Sequence, residues 1–185
     1  MLSNVDIEKA IDRNEIRITP DETELCIEPS SIDLHLSDMF LRPEKKRDSE
    51  VDVADEDTYP EYETHRDCET ITVAPDTFLL ADTDEYVELS DKYVGVLHDR
   101  SSLARLGLLV QTAGFVDATF EGTLTLEIYN AAPYPITIYP GMRVVQLAIH
   151  EHDTHTTENY TWSHGNKYQG QIGPRPSELY KDAEL

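Results

Sequence analysis

The chain has 185 residues, 37 of them Asp or Glu against 15 Lys or Arg, for a formal charge of -22 at pH 7. That length supports one domain over residues 1–185 with a sizeable core, and the charge opposes nucleic-acid polymers and anionic membrane surfaces, both of which need a basic patch. No stretch is long and apolar enough for a membrane helix, and MLSNVDIEKAIDRNEI carries charges where a signal peptide needs its apolar core, so a cytoplasmic protein is expected, its acidic surface suited to high salt.

Ser3 caps a short helix, with Asp6 three residues on and Ile7, Ala10 and Ile11 at the spacing of one apolar stripe. In SIDLHLS, Ile32, Leu34 and Leu36 alternate with Asp33 and His35, the period of a half-buried strand. Residues 44–69, EKKRDSEVDVADEDTYPEYETHRDCE, are charged and poor in large apolar groups; they read as a long, mobile surface excursion. From ITVAPDTFLLADTDEYVELSDKYVGVL onward, short apolar runs are separated by Pro, Asp, Thr and Ser, and the pattern continues through GTLTLEIYN and YPITIYPGMRVVQLAIHEH. Only the first helix and one near residues 102–108 interrupt these strands, without the regular alternation of parallel βαβ units, so a mainly antiparallel barrel or sandwich is expected. The tail GNKYQGQIGPRPSELYKDAEL holds three glycines and two prolines and reads as a flexible arm, within residues 160–185. Cys26 and Cys68 are too few for a disulfide framework and are expected as reduced thiols, a single bridge being the alternative.

RSSLARLGLLV, taken as a helix, groups Leu103, Leu106 and Val110 on one side and sets Ser101 and Arg105, an i, i+4 pair, opposite them. With Ser101 or Ser102 as N-cap, the free backbone N–H groups beside Arg100 form an anion site, against the plainer reading of a capped helix with a surface arginine. In GTLTLEIYN, Leu124, Leu126 and Ile128 share one face of a strand, and Thr123, Thr125, Glu127 and Tyr129 the other. Glu127 is then either a solvent-facing carboxylate or a general acid/base in a cleft between subunits. Asp117, between Gly114 and Gly122, belongs to a turn-rich segment or hairpin. HEHDTH brings His150, His152 and His155 together, but no distant residue supplies the remaining ligand of a metal site, and the P-C-x-x-C half of a zinc deaminase signature is absent.

Taken together, RSSLARLGL (100–108), TAGFVDATFEGTLTLEIYN (112–130), YPGMRVVQL (139–147) and KYQGQIGPRPS (167–177) resemble the dCTP deaminases, relatives of the trimeric dUTPases, with weaker similarity through SSIDLHL and FLLADTDEYVEL. The resemblance implies a mainly β, dUTPase-like distorted β-barrel or jelly roll with a few short helices, assembled as a homotrimer with active sites between neighbours and without catalytic zinc. It makes Glu127 the general base and acid for attack of water on cytosine C4, with Ser101 and Arg105 as its catalytic partners. It places the triphosphate against Arg100, Ser101, Ser102 and Gln146, the deoxyribose against Asp117, and Leu103, Ala104, Thr125 and Leu126 among the substrate-binding residues. Tyr160, Lys167 and Gln171 match the family's closing carboxy-terminal segment, and Mg2+ is expected on the phosphates of dCTP or dUTP. TAGFVD, with Gly114 and Phe115, resembles the members that release dUMP; a dUTP-forming deaminase, a dUTPase alone and a nucleotide-sensing regulatory trimer are the alternatives. Asp99 stands where many relatives have Gly, as does Thr119.

Overall fold

The computed structural model describes residues 1–19, 25–44, 50–110, 114–160 and 165–182. Helix α1 (Asn4–Asp12) opens it, and Ser3 is its N-cap, its side chain accepting from the Asp6 N–H as the spacing required. Ile7 and Ala10 are buried, and Ile11 packs against the same core. The strands follow in chain order: β1 (Ile16–Thr19), β2 (Cys26–Glu28), β3 (Ser31–His35), β4 (Phe40–Pro43), β5 (Tyr62–His65), β6 (Ile71–Val73), β7 (Phe78–Leu89) and β8 (Tyr93–Asp99). Helix α2 (Ser101–Ala104) then precedes β9 (Leu108–Leu109), β10 (Phe115–Val116), β11 (Glu121–Asn130), β12 (Ile136–Ile138) and β13 (Arg143–Glu151).

One sheet has the order β5-β4-β7-β11-β9 with β1 also on β7; a second has β10-β8-β13-β3-β2; β12 and β6 form a small third. Each strand pair with a defined register is antiparallel, as expected. The apolar sides of the two large sheets enclose one core, in which Phe40, Ile32, Leu34, Leu79, Leu126, Ile128 and Leu147 are fully buried. The fold is thus mainly β, in the jelly-roll class. The His35 backbone N–H donates to Glu85 Oε2 at 2.9 Å, and the His35 ring lies 2.6 Å from Glu85 Oε1, which ties β3 to β7 across the edge of that core. Among the described residues, Cys26 and Cys68 are not joined in a disulfide.

Three local expectations need correction. The helix read near 102–108 is a single turn, because Gly107 takes φ +88° and ends it; a Cβ there would meet the Ala132 Cβ at 2.9 Å. Leu106 therefore turns outward instead of joining a stripe with Leu103 and Val110. The N-cap is Arg100, with no side-chain capping bond, so neither Ser101 nor Ser102 plays that part and one turn carries no substantial dipole. Asp33, placed by alternation on the outer side of a half-buried strand, is 1% exposed, because the side chains of Arg100, Arg143 and Gln146 pack onto its carboxylate on that side.

The acidic excursion is also more structured than its composition suggested. Beyond residues 45–49, which lie outside the described set, it holds a 3₁₀ turn at Glu56–Thr58 and strand β5, paired with β4 from Phe40↔His65 to Pro43↔Tyr62.

Candidate functional site

A cleft of about 350 Å³ lies over the first sheet. Strand β11 supplies Thr125 and Glu127, and directly opposed residues of an antiparallel pair project on one side of a sheet. The register sets Glu127 opposite Leu80, and Leu80 opposite Leu41 of β4, so the three share a face while Leu126 and Ile128 enter the core behind them. Phe78, Leu80, Leu97, Phe115 and Leu124 form the apolar walls. Asp117, in the turn after β10, stands exposed at the rim and lines a second, more open hollow with His152, Glu158 and Tyr160.

The carboxy-terminal segment closes one side of the cleft. Gln171 bridges to Gly122, and the two chains approach so closely that a Cβ at Gly122 would meet the Gln171 carbonyl oxygen at 3.0 Å. The Gln171 side-chain amide donates to the Thr123 carbonyl at 2.6 Å and to Thr125 Oγ1 at 3.3 Å. Its Oε1 is buried with no partner among the described residues, an acceptor held beside the cleft. Thr125 Oγ1 also accepts from the Arg175 N–H at 3.1 Å, and Thr123 Oγ1 from the Gly173 N–H at 3.1 Å. The tail read as a flexible arm is thus strung along β11 from Gln169 to Arg175; residues 161–164 and 183–185 lie outside the described set, as do Thr112 and Ala113.

Thr119 accounts for its own departure from the family residue. It adopts φ +65°, a conformation that favours glycine, yet its hydroxyl accepts from the Tyr160 N–H at 2.6 Å and its carbonyl from the Gln169 amide at 3.0 Å. The Tyr160 ring packs edge-on against Phe120 at 5.7 Å, and burial raises the pKa of its hydroxyl. Lys167, by contrast, is engaged by Asp182. At Gly114 a Cβ would stand 2.7 Å from the Leu97 carbonyl, so close backbone approach accounts for glycine there.

A second polar cluster gathers around buried Asp33. Arg100 Nε lies 3.3 Å and Arg143 Nη1 3.2 Å from Asp33 Oδ2, while the Gln146 amide donates to Oδ1 at 3.1 Å. Arg100 also donates to the Arg143 carbonyl at 3.3 Å. A buried carboxylate is tolerated with such partners, and it fixes the start of α2 in return.

Of the residues read from sequence, Asp117, Thr125, Glu127, Tyr160 and Gln171 come together in the Glu127 cleft. Arg100 and Gln146 meet at Asp33, whereas Ser101, Ser102 and Arg105 are exposed at α2 and line neither hollow. Leu103 and Leu126 are buried in the core, and Ala104 is half-buried. Asp99 keeps one buried carboxylate oxygen without a hydrogen-bond partner among the described residues, and nothing in the structure explains the residue. Asp33, Tyr62, Tyr168, Arg175 and Ser177 also belong to these sites without having been expected there; all but Tyr62 fall inside motifs singled out for other reasons. Among the described residues, no group of three or more His, Cys, Asp or Glu side chains is arranged to hold a metal, and His155 instead pairs with Asp91 at 3.4 Å. None of the described helices is long and apolar enough to cross a membrane.

The dCTP deaminase-like family pattern matches residues 1–152. A Persephonella marina protein named "dCTP deaminase, dUMP-forming" is 38% identical over 187 residues, which cover 100% of this chain and 99% of that one. A Natronomonas pharaonis protein named "dCTP deaminase" is 35% identical over 190 residues, covering 100% and 97%. The fold is similar to that of the 2'-deoxycytidine 5'-triphosphate deaminase of Agrobacterium tumefaciens, with a TM-score of 0.62 at 18% identity over 80% of this chain and 46% of that one. With the family pattern running through most of its length and the likeness to curated relatives running end to end, the chain belongs to the dCTP deaminase-like family.

Proposed function

We propose that the protein hydrolyses dCTP to dUMP, diphosphate and ammonia, consuming two waters, at sites built between the subunits of a homotrimer. The observation that carries this reading is the placement of Glu127 in an apolar-walled cleft with Thr125, Asp117 and the unpartnered acceptor of Gln171. Glu127 takes a proton from the water that adds to C4 and returns it through N3 to the departing ammonia. A neighbouring copy brings Ser101 and Arg105 to the same base, where they hold the water and stabilise the charge that develops. Arg100, Ser101, Ser102 and Gln146 of that copy face the triphosphate, and Tyr160 and Lys167 close over it. Arg175 adds a cation on the cleft side.

In the second step water attacks the α-phosphorus, the α–β phosphoanhydride bond breaks and diphosphate leaves, with Asp117 positioned to orient that water. Mg2+ would be held by phosphate oxygens and water, where it would neutralise charge on the leaving diphosphate.

The test is incubation of the protein with dCTP and Mg2+ and separation of products. Ammonia with dUMP and diphosphate supports the full reaction. Ammonia with dUTP leaves the simpler activity, a second reading favoured by the shorter name of the Natronomonas relative. Hydrolysis of dUTP without reaction of dCTP makes the protein a dUTPase, and tight binding without turnover makes it a nucleotide sensor. Glu127→Gln is expected to abolish ammonia release and leave assembly intact.

A further inference from the structure

The acidic excursion has no part in the reaction as described above, yet strand β5 ends at the Glu127 cleft. Tyr62, its first residue, stands opposite Pro43. Pro43 lies two residues beyond Leu41, which faces Leu80, which faces Glu127. With a period of two along a strand and a shared side for opposed residues, Tyr62 and Glu127 project from the same face of the sheet. Three strand spacings separate them, on the order of 14 Å between backbones, room for two inward side chains and a flat ring between. Both residues line the cleft.

Burial alone raises the Tyr62 hydroxyl above its ordinary value, so it remains a protonated donor at neutral pH. That hydroxyl has no hydrogen-bond partner among the described residues. The backbone leading to it is fixed from outside. Tyr59 meets Tyr180 edge-on at 5.4 Å, the Tyr59 hydroxyl donates to the Val53 carbonyl at 2.8 Å, and the Tyr180 hydroxyl is hydrogen-bonded to Glu56. Tyr180 follows Arg175 and Ser177, which line the same cleft, so the excursion and the carboxy-terminal segment brace each other at its outer wall.

We infer that Tyr62 is a substrate-contacting residue of the Glu127 cleft, donating its hydroxyl to an oxygen of the nucleoside portion while its ring walls the cleft, and that the Tyr59–Tyr180 contact positions it. The nucleoside portion is indicated because Leu41 and Leu80 separate Tyr62 from Glu127 on that face, and apolar surface suits a base or sugar, not a phosphate. This rests on the proposed dCTP reaction.

The experiment is steady-state turnover of dCTP, with calorimetric binding of dCTP, by the full chain and by Tyr62→Phe, Tyr62→Ala, Tyr180→Ala and Tyr180→Phe. Loss of one neutral hydrogen bond in Tyr62→Phe is expected to weaken binding and raise KM by about tenfold with kcat little changed. Tyr62→Ala is expected to weaken both further. Tyr180→Ala should raise KM less, and Tyr180→Phe, which keeps the ring contact, should restore it. If wild-type protein turns over dCTP while both Tyr62 variants, folded by their thermal melts, bind and turn it over like wild type, the inference is overturned and the proposed reaction stands. If wild type neither binds nor turns over dCTP, the proposed reaction fails and the inference falls with it.

Discussion

Asp82 lies 3% exposed on β7, where Ser37, Thr123 and the Gly173 N–H all hydrogen-bond to its carboxylate. Burial is the largest influence on it and raises its pKa above the ordinary carboxylate value, outweighing the bonds that favour the charged form. In the unfolded chain Asp82 loses its proton near pH 4, whereas the folded protein holds that proton to higher pH. Between those two values the folded state binds more protons than the unfolded one, so this residue's contribution to stability is full below about pH 4 and is lost as pH rises through the folded value. Asn at this position keeps an oxygen for Ser37 and Gly173 and removes the buried charge. Asp82→Asn is therefore expected to melt above wild type at pH 7 to 8, with the difference shrinking toward zero at about pH 4. Paired thermal melts across that range test this, and a difference independent of pH would assign it to packing instead.

The carboxy-terminal segment depends on two local features: a left-handed Thr119 in the β10–β11 connection and a glycine at 122, near the start of β11. Thr119→Ala keeps the strained backbone and removes the acceptor for the Tyr160 N–H, and is expected to cost about 1 kcal/mol. Thr119→Gly loses the same bond but relieves strain of similar size, so its stability should stay near wild type. Both should speed amide exchange at Tyr160; unchanged exchange in both would show that the hydroxyl does not anchor the segment. These features also show what could be read from sequence. Helix α1 was legible because Ser3, Asp6 and the Ile7–Ala10 stripe settle it within ten residues, and β11 because its alternation holds from Leu124 to Ile128. Helix α2 was misread because the left-handed turn at Gly107 cut the apolar period that the sequence continued to Val110. Strand β5 has no apolar run at all; it forms because β4 offers an open edge, a property of the neighbour and not of Tyr62–His65. Asp33 looked solvent-facing because period-two alternation cannot foresee that Arg100, Arg143 and Gln146 cover that side of β3.

At the scale of the molecule, two halves of the proposed chemistry sit on different sheets. Glu127 projects from the first into its cleft, while Ser101 and Arg105 are exposed beyond the end of β8 in the second and do not reach that cleft within one chain. The scarce cations nearby are not free to wander: Arg100 and Arg143 are pinned to buried Asp33, which holds the turn carrying Ser101 at a fixed place on the surface. Around that turn Leu106, Leu109 and Tyr134 are exposed, and the Tyr134 hydroxyl reaches the Leu106 carbonyl at 3.2 Å, so the surface beside Ser101 offers apolar area for a second copy. In a ring of identical subunits with head-to-tail contacts, each site takes Glu127 from one copy and Ser101 from the next. Glu127→Gln and Ser101→Ala chains are then each expected to be inactive alone. Equal mixing, by co-expression with different tags, places an intact Glu127 and an intact Ser101 together in about a quarter of the sites, and deamination should return to about that fraction of wild type. If Ser101 and Glu127 instead act within one chain, no mixed assembly contains an intact site, and the mixture stays as inactive as either variant.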